Sequence, residues 1–546
     1  MLPASLRSLV GVGLRAALHR RAQLLANRDH WARHSGAIQA AQLRNLLTTA
    51  ANTEFGRAHD FARICGLSND TEMIRAYRAS VPVAEHSAFR PLLARMREEG
   101  EPGVTWPGVV HDWAQTSGTT AGDKFIPVSR EMLRHNFRSS LDIFAHAINA
   151  GVPLPHLYAG RFLFMGGSTD LTTNSHGIRT GDLSGIVTPL IRWPLSEIYL
   201  PGRDVALMSD WTSKIDAMVR VCLNEDLRGL SGMASWALVF FNRALELARE
   251  QGRDVSCLRD LWPDFSFFIH GGVKYAPFDP RVRQVFSGSD SGPNSDIPHR
   301  IEVYPASEGF IAIQDAAREP SLRLNIDHDV FFEFVPLDDY REGDPDACTC
   351  DTVTPGVRYV VVLTTCAGLW RYTLGDVVEF DQAPPHGPAR LRIVGRHKHF
   401  INAFGENLIV ENIEHAAAHA AKATGLAIGE FSAAPVYPDA ASGVRAGLEL
   451  AVEFERASPP SHQLDAFRDA FDLDLKKHCV DYGIKRKDDL GMAPPTITPL
   501  PMGAFHRWMA SRGKLGGQHK CPRCANHRDI INPVVALALG SPVAPR

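Results

Sequence analysis

The sequence predicts an α/β fold, in which a large N-terminal domain with β-sheets packed by helices precedes a small, mobile α+β domain. From Val109 onward, short β-rich runs such as "RFLFMGG" and "FSFFIHGG" alternate with longer helical runs such as "SWALVFFNRALELARE". The 546 residues exceed what one ordinary core accommodates, so at least two domains are expected. The pattern restarts near residue 396, which gives domains at 1–395 and 396–546.

The elements follow from local patterns along the chain. Residues 20–100 read as helical, with breaks at "GLSND" and "VPVAEHS". The Arg-rich start lacks a long apolar run and a cleavage site, which favours an amphipathic helix over a secretory signal. "VFFEFVPLDD" and "VRYVVVLTTC" are predicted strands. In the small domain, "VENIEHAAAHAAKATG" and "LDAFRDAFDLDLKKHC" are predicted helices, and "AAPVYP" and "GLELAVEFE" predicted strands.

The stretch "TSGTTAGDK", residues 116–124, has the hydroxyls and glycines of a phosphate-binding loop. It is not a P-loop, because three residues rather than four separate Gly118 from Gly122, and Asp123 precedes Lys124. The flanking "VVHDWAQ" and "KFIPV" predict strand, loop and strand, with Ser129 as the N-cap of the following helix. A simple polar turn is the alternative for this stretch.

The composition excludes some classes of function. Hydrophobic residues make up 45% and charged residues 22%, and the net charge is −3, which argues against a nucleic-acid-binding surface spread over the protein. No run is apolar and long enough for a membrane span. Nine cysteines make no disulfide framework, so we expect a cytoplasmic protein. Cys521 and Cys524, flanked by histidines, are either packed thiols or ligands of a zinc ion, and we favour packed thiols.

Three further segments accompany the Thr-rich loop: "YPASEG" (304–309), "LWRYTLGDVVEF" (369–380) and "IVGRHKHFINAFGENL" (393–408). In this order, they resemble the signature set of the adenylate-forming superfamily, which includes acyl-CoA synthetases and luciferases. "TSGTTAGDKFIPVS" and the ending "RGKLGGQHKCPR" more closely resemble the acyl-acid amido synthetases of the auxin-responsive-promoter family, as a bacterial member. The likeness extends from about residue 20 to about residue 530.

The resemblance implies a two-step reaction. A carboxylate attacks the α-phosphate of ATP, which forms an acyl-adenylate and releases pyrophosphate. The amine of an amino acid then attacks the activated carbonyl and gives an amide and AMP. Such a site holds a triphosphate, neutralises its charge and orients two substrates. The implied cofactors are ATP and Mg²⁺, and the implied partners are a carboxylic acid and an amino acid. We expect a monomer.

The resemblance also assigns roles to residues. Glu308 holds Mg²⁺, for which oxygen ligands are suited. Asp376 accepts hydrogen bonds from the ribose hydroxyls. Lys398 matches the superfamily's hinge position. The other implied nucleotide contacts are the loop residues Thr116, Ser117, Gly118, Thr119 and Thr120, with Tyr304 against adenine, Ser307 at the α-phosphate and Arg396 near the ribose.

Each residue also has a structural interpretation. Tyr304 fits a core aromatic, Glu308 a surface or helix-start carboxylate, and Asp376 a turn residue after glycine. Arg396 and Lys398 fit a solvated basic patch. The order of the motifs, rather than any one residue, favours the functional interpretation.

Two parts of the site are less defined. "GLSGMASWALVFF" resembles the segment that lines the acyl pocket, with Ser235, Trp236 and Val239 as candidates, although an apolar helix is also typical of plain core. The catalytic lysine is Lys520 or Lys514 in the tail, and the branch-specific "QHKCPR" favours Lys520.

The sequence therefore predicts a ligase that joins a carboxylic acid to an amino acid, with neither substrate identified. An acyl-CoA ligase that uses the same adenylation step is the alternative enzyme. A non-catalytic protein that binds a carboxylate or nucleotide is the alternative from another class.

Overall fold

The computed structural model describes most of the chain from Leu2 to Leu539. The residues outside this description are 1, 117–123, 167–170, 192, 207, 209–210, 273–274, 277, 293, 342, 398–399, 402–407, 438–444, 456–458, 480–481, 484–485, 487–491, 513–520, 526 and 540–546. The chain is divided into two compact units. The first comprises residues 1–374, 379–392 and 516–518, and the second comprises 375–378, 393–515 and 519–546.

The predicted N-terminal helices are present. They are α1 (Ala4–Ala26), α2 (Arg28–Ala50), α3 (Glu54–Ala58), α4 (Phe61–Cys65), α5 (Asp70–Ser80) and α6 (His86–Glu98). The Asn27 side chain accepts a hydrogen bond from the backbone N–H of His30, and Asn69 does the same for Glu72, so both asparagines cap helices. The breaks predicted at "GLSND" and "VPVAEHS" fall between α4 and α5 and between α5 and α6.

The Thr-rich stretch lies between two paired strands, as predicted. Strands β1 (Asp112–Thr116) and β2 (Lys124–Val128) are antiparallel, with Thr116 opposite Lys124. The next helix, α7 (Arg130–Asn149), begins at a capping residue, Ser129, whose Oγ accepts from the Met132 N–H at 3.0 Å. With two later strands, the hairpin forms a four-stranded sheet in the order β2-β1-β5-β4.

Most of the strands of the first unit belong to an eleven-stranded sheet. The elements that follow α7 in this unit are α8 (Leu154–Ala159), β3 (Arg161–Phe164), β4 (Thr172–Thr173), β5 (Arg179–Gly181), α9 (Leu183–Val187), β6 (Tyr199–Leu200), α10 (Arg203–Ala206), α11 (Trp211–Cys222), β7 (Leu227–Gly232), α12 (Ala234–Glu250), α13 (Leu258–Leu261), β8 (Phe267–Gly271), α14 (Asp279–Ser287), β9 (His299–Ala306), β10 (Gly309–Ile313), β11 (Leu322–Leu324), β12 (Val330–Pro336) and β13 (Arg358–Thr365). They are followed by β14 (Tyr372–Gln382) and β15 (Arg390–Arg396).

The strand order in this sheet is β12-β13-β14-β15-β11-β10-β9-β8-β7-β3-β6. Strands β9, β8, β7, β3 and β6 run parallel to their neighbours, and the pairing becomes antiparallel at β10. The parallel strands alternate with helices along the chain, and their residues are largely buried, as is usual when helices cover such a sheet. The prediction of an α/β core with helices packed on sheets is confirmed.

The β12 end of the sheet is covered by other parts of the first unit. The Gln39 side chain on α2 accepts a hydrogen bond from the Phe332 N–H at 2.8 Å and donates one to the Val330 carbonyl at 3.0 Å. Cys348 pairs its backbone with that of Phe334 through two further hydrogen bonds. The side of β12 that faces away from β13 therefore has backbone groups that are bonded within the chain.

The second unit has its own sheet and core. Its elements are β16 (Phe400–Ile401), β17 (Leu408–Ile409), α15 (Val410–Thr424), β18 (Ile428–Val436), β19 (Gly447–Phe454), α16 (Ser461–His478), β20 (Thr496–Pro501), α17 (Ala504–Ser511) and α18 (Ile531–Leu539). β19 pairs antiparallel with β18 and parallel with β20. Buried residues of α15 and α16, such as Ile413, Phe467 and Phe471, pack with those of the sheet. This arrangement is the predicted small α+β fold.

Three expectations concern particular segments. The main segment of the second unit begins at Ile393, close to residue 396, where the sequence predicts the start of the small domain. The division into domains at 395 and 396 stays a prediction. In the described part of the chain, no helix combines the length and the apolar character needed to cross a membrane. Cys521 and Cys524 are both buried but belong to different apolar clusters, and burial raises the pKa of the Cys521 thiol to about 12. These surroundings suit packed, protonated thiols.

Candidate active site

The motif "YPASEG" forms the tip of a hairpin. β9 ends at Ala306, which pairs with Gly309 of β10, so Ser307 and Glu308 are the two loop residues. The register shifts between Phe310 and Ala312, which indicates a bulge directly after the turn. Such irregularities reorient side chains near a strand end, and here they follow the residues that the sequence singled out.

The hairpin tip is buried although it is a turn. Tyr304 is 5% exposed, Ser307 4% and Glu308 8%. The Tyr372 hydroxyl on β14 donates a hydrogen bond to Oε1 of Glu308 at 3.3 Å. A carboxylate this deeply buried must be matched by polar partners or by a cation, because desolvation of a bare charge is costly. The surface and helix-start interpretations of Glu308 therefore do not hold.

His135 on α7 fixes the strand that leaves the tip. Its Nε2 accepts the Phe310 N–H at 2.7 Å, and its Nδ1–H donates to the His328 carbonyl. The ring is fully buried, and this burial lowers the pKa of His135 to about 4, so the imidazole is neutral. A neutral ring with the proton on Nδ1 is the form that makes both hydrogen bonds. The hairpin is thereby tied to the body of the first unit.

A second group of candidate residues lies in the second unit. Asp376 is half-buried on β14, directly after Gly375, whose φ of +93° favours glycine. The Gly375 carbonyl accepts hydrogen bonds from the backbone N–H of His397 at 2.9 Å and from its Nδ1 at 3.1 Å. His397 directly follows Arg396, the last residue of β15. The structure thus brings together the segments that carry Asp376 and Arg396, the two predicted ribose contacts.

The structure shows less about the surroundings of the remaining predicted site residues. Thr116 ends β1, opposite Lys124. On α12, Trp236 is partly buried against an apolar cluster, and Val239 is 50% exposed, so it is not plain core. The side chains of Ser235 and Arg396 lie outside the description. Seven predicted residues lie outside it altogether: Ser117, Gly118, Thr119, Thr120, Lys398, Lys514 and Lys520.

Two residues at the hairpin were missed by sequence reasoning. Tyr372 lies within the quoted segment "LWRYTLGDVVEF", so the motif contained it, but nothing in the sequence indicated its contact with Glu308. His135 lies in an ordinary helical run, 175 residues before Phe310, and carried no local signal. Both contacts depend on how distant segments pack.

The fold of the chain is shared with ligases of known structure. The structure is similar to that of 2-hydroxyisobutyryl-CoA ligase in complex with 2-HIB-AMP, with a TM-score of 0.54 at 14% identity, covering 92% of each chain. It is more similar to the GH3.15 acyl acid amido synthetase, with a TM-score of 0.73 at 17% identity, covering 93% of this chain and 94% of that one.

The chain belongs to the GH3 family. The models of the GH3 family N-terminal, central and C-terminal domains match residues 25–193, 324–396 and 411–529. A putative indole-3-acetic acid-amido synthetase of Oryza sativa subsp. japonica is 25% identical over 377 residues, which cover 63% of this chain and 74% of the relative. The resemblance to the acyl-acid amido synthetases found in the sequence is confirmed.

Proposed function

We propose that this protein is an acyl-acid amido synthetase, a ligase that activates a carboxylic acid with ATP and transfers the acyl group to the amine of an amino acid. The observation that carries the proposal is the buried Glu308 carboxylate at the hairpin tip, held by Tyr372, in a chain of the GH3 family. AMP and pyrophosphate are the other products.

The hairpin suits the binding of a magnesium triphosphate. Glu308 would hold Mg²⁺, which prefers carboxylate oxygens and, when bound, offsets the charge of the phosphates. Ser307 beside it offers a hydroxyl and a backbone N–H to the α-phosphate. Tyr304, on the strand that leads to the tip, would lie against adenine. Tyr372 and His135 keep the carboxylate and its strand in place, so less reorganisation is needed when charge develops.

The ribose and the small domain complete the proposal. Asp376 accepts hydrogen bonds from the ribose hydroxyls, and Arg396 lies on the neighbouring segment that His397 ties to Gly375. Thr116, with Ser117, Gly118, Thr119 and Thr120, would contact the phosphates. Lys398 serves as the hinge, and Lys520 supplies the catalytic cation. We further propose that the protein acts as a monomer in the cytoplasm.

The acyl acid is not identified by these features. Ser235, Trp236 and Val239 on α12 are the proposed pocket residues. The half-exposed Val239 is compatible with a side chain that faces a substrate rather than the core.

A pooled-substrate assay tests the function. The protein is supplied with ATP, Mg²⁺, a panel of carboxylic acids and the amino acids, with and without CoA, and the products are identified by mass spectrometry. An amide together with AMP is the expected result. A thioester without any amide would make the protein an acyl-CoA ligase, and the absence of pyrophosphate release across the panel would favour a binding protein.

The variant Glu308→Gln tests the site itself. Loss of the charge that fixes Mg²⁺ should reduce adenylate formation on the order of a hundredfold or more, as loss of one preorganised charge contact does. Glu98→Gln is a suitable control, because the Glu98 side chain is 60% exposed in the same unit. Adenylate formation by Glu308→Gln at the parental rate, with saturating Mg²⁺, would rule out the assignment.

A further inference from the structure

Two helices of the second unit bring four metal-ligand side chains together. His415 and His419 are one turn apart on α15, and Asp474 and His478 are one turn apart on α16. Side chains separated by four residues share a helix face, and α15 and α16 pack against each other. The two pairs therefore meet across the groove between the helices.

Asp474 is at the centre of this cluster, with a side chain that is 4% exposed. Its Oδ2 lies 2.7 Å from Nδ1 of His415, and its Oδ1 lies 3.3 Å from Nδ1 of His478. Nδ1 of His419 is 3.9 Å from Oδ1. The rings of His415 and His478 are 4.6 Å apart, centre to centre. Ligand atoms of a tetrahedral zinc ion with bonds of about 2.0 Å are about 3.3 Å apart, which is close to these separations.

We propose that His415, Asp474 and His478 form a site for a divalent transition-metal ion of the zinc type. Two imidazole nitrogens and a carboxylate are a donor set that zinc accepts, and the fourth tetrahedral position is left for water or His419. The ion would join α15 to α16 on the side away from their shared apolar contacts with the sheet. This site is separate from the magnesium site proposed at Glu308.

A second cluster of histidine and aspartate side chains already has a positively charged partner. Asp142, Asp327 and His328 also converge in the first unit, but the Arg21 guanidinium bonds to both carboxylates there and approaches Nε2 of His328 at 3.2 Å. The positive charge of Arg21 therefore already balances the two carboxylates, in the place that a metal ion would take. Within the described residues, no lysine or arginine lies within salt-bridge distance of Asp474, and the nearby Lys476 pairs with Asp472 instead.

The alternative is a hydrogen-bond network without a metal. In that case, His415 donates its Nδ1–H to Asp474, and Nδ1 of His478 donates to the Asp474 backbone carbonyl, 3.1 Å away. Metal binding requires the lone pairs of both Nδ1 atoms, so the ring protons move to Nε2 or are released. The two interpretations therefore differ in whether the protein binds a metal ion stoichiometrically through these side chains.

Metal titration of the full-length chain tests the proposal. After chelator treatment, the protein is titrated with Zn²⁺ by calorimetry and with Co²⁺ by visible absorption, because Co²⁺ reports the geometry of its site. The parent should bind one ion at this cluster and show the absorption bands of tetrahedral Co²⁺, and Zn²⁺ should raise its melting temperature.

The variants identify the ligands. His415→Ala and His478→Ala should each weaken Zn²⁺ binding on the order of a hundredfold or more, and should remove the thermal shift. His462→Ala is the matched control, since His462 is exposed at the start of α16, and it should bind as the parent does. Circular dichroism of the metal-free variants checks that they are folded. If the double variant His415→Ala/His478→Ala bound Zn²⁺ as the parent does, or the parent bound no Zn²⁺, the proposal would be wrong.

Discussion

At the scale of single residues, the Tyr372 hydroxyl contacts the carboxylate to which we assign magnesium. Tyr372→Phe removes the hydroxyl that donates to Glu308, and a typical hydrogen bond contributes about 0.5–1.5 kcal/mol. The apparent affinity for Mg²⁺ in adenylate formation should therefore fall by about two- to tenfold, with a smaller change in the rate at saturating Mg²⁺. Pyrophosphate release measured against Mg²⁺ concentration gives both the apparent affinity for Mg²⁺ and the rate at saturating Mg²⁺.

Tyr340→Phe is the control for this prediction. It also removes a tyrosine hydroxyl in the first unit, but that hydroxyl donates to Thr373 rather than to Glu308. A similar loss of Mg²⁺ affinity in both variants would indicate a general effect on packing rather than a contact with the site.

The catalytic lysine is a second prediction for a single residue. Charge that develops on the α-phosphate is best stabilised by a compact cation on a long stem. Lys520→Ala should reduce adenylate formation on the order of a hundredfold or more, whereas Lys514→Ala should reduce it much less. Pyrophosphate release by both variants gives the ranking, and the reverse order would transfer the role to Lys514.

The sequence indicated some residues of the candidate site and not others. The sequence singled out Glu308 and Asp376 because their motifs occur in a fixed order along the chain, and their roles stay predictions. The contacts of Tyr372 and His135 were not found, because they join segments that are 64 and 175 residues apart. A linear pattern carries no information about such contacts, which form only when the sheet and its helices pack.

At the scale of elements, α7 begins where the sequence predicted. Ser129 is 4% exposed, accepts the Met132 N–H and donates its hydroxyl to the Cys366 carbonyl at 2.5 Å. Ser129→Ala should lower the free energy of unfolding by about 1–2 kcal/mol, as loss of an N-cap does. Urea denaturation measures the change. Because α7 also carries His135, activity should be lost at a lower denaturant concentration than in the parent.

Ser140→Ala is the matched control on the same helix. Its hydroxyl donates to the Asn136 carbonyl one turn earlier, a contact that adds little to helix stability. The stability of Ser140→Ala should lie close to that of the parent. Equal effects of the two substitutions would show that Ser129 does not act as a cap.

The elements were the most predictable level of the structure. Residues only a few positions apart in the sequence predict three of these features. They are the start of α7 at Ser129, the paired strands around the Thr-rich stretch, and the end of α15 before Gly425. The order of the eleven strands was beyond prediction, since β11 pairs with β15 although 65 residues lie between these two strands. Strand order is decided by packing between distant segments.

At the scale of the whole molecule, four buried histidines predict how the stability of the first unit depends on pH. Burial lowers the pKa of His86 and His135 to about 4 and that of His146 and His270 to about 3. The pKa of histidine in an unfolded chain is about 6.5, so below that pH the unfolded chain takes up protons that the folded chain does not. The free energy of unfolding should therefore fall as the pH decreases from about 6.5 towards 4.

Urea denaturation at several pH values checks the sign. His135→Gln should flatten the dependence, because it removes one of the four groups, although it lowers stability at neutral pH. His34→Gln is the control, as His34 is exposed on α2. A constant free energy of unfolding across this pH range would contradict the prediction.

The Gln39 side chain bonds to the outer strand β12, and this bears on whether copies of the protein aggregate. An outer strand with open N–H and C=O groups is a template on which another chain can add a strand, and this is a common route to aggregation. On β12, Gln39 bonds to Val330 and Phe332 as a neighbouring peptide would, and Cys348 does the same at Phe334. A side chain and a short piece of backbone thus take the place of an additional strand along this part of β12, so these groups are already occupied when a second molecule approaches.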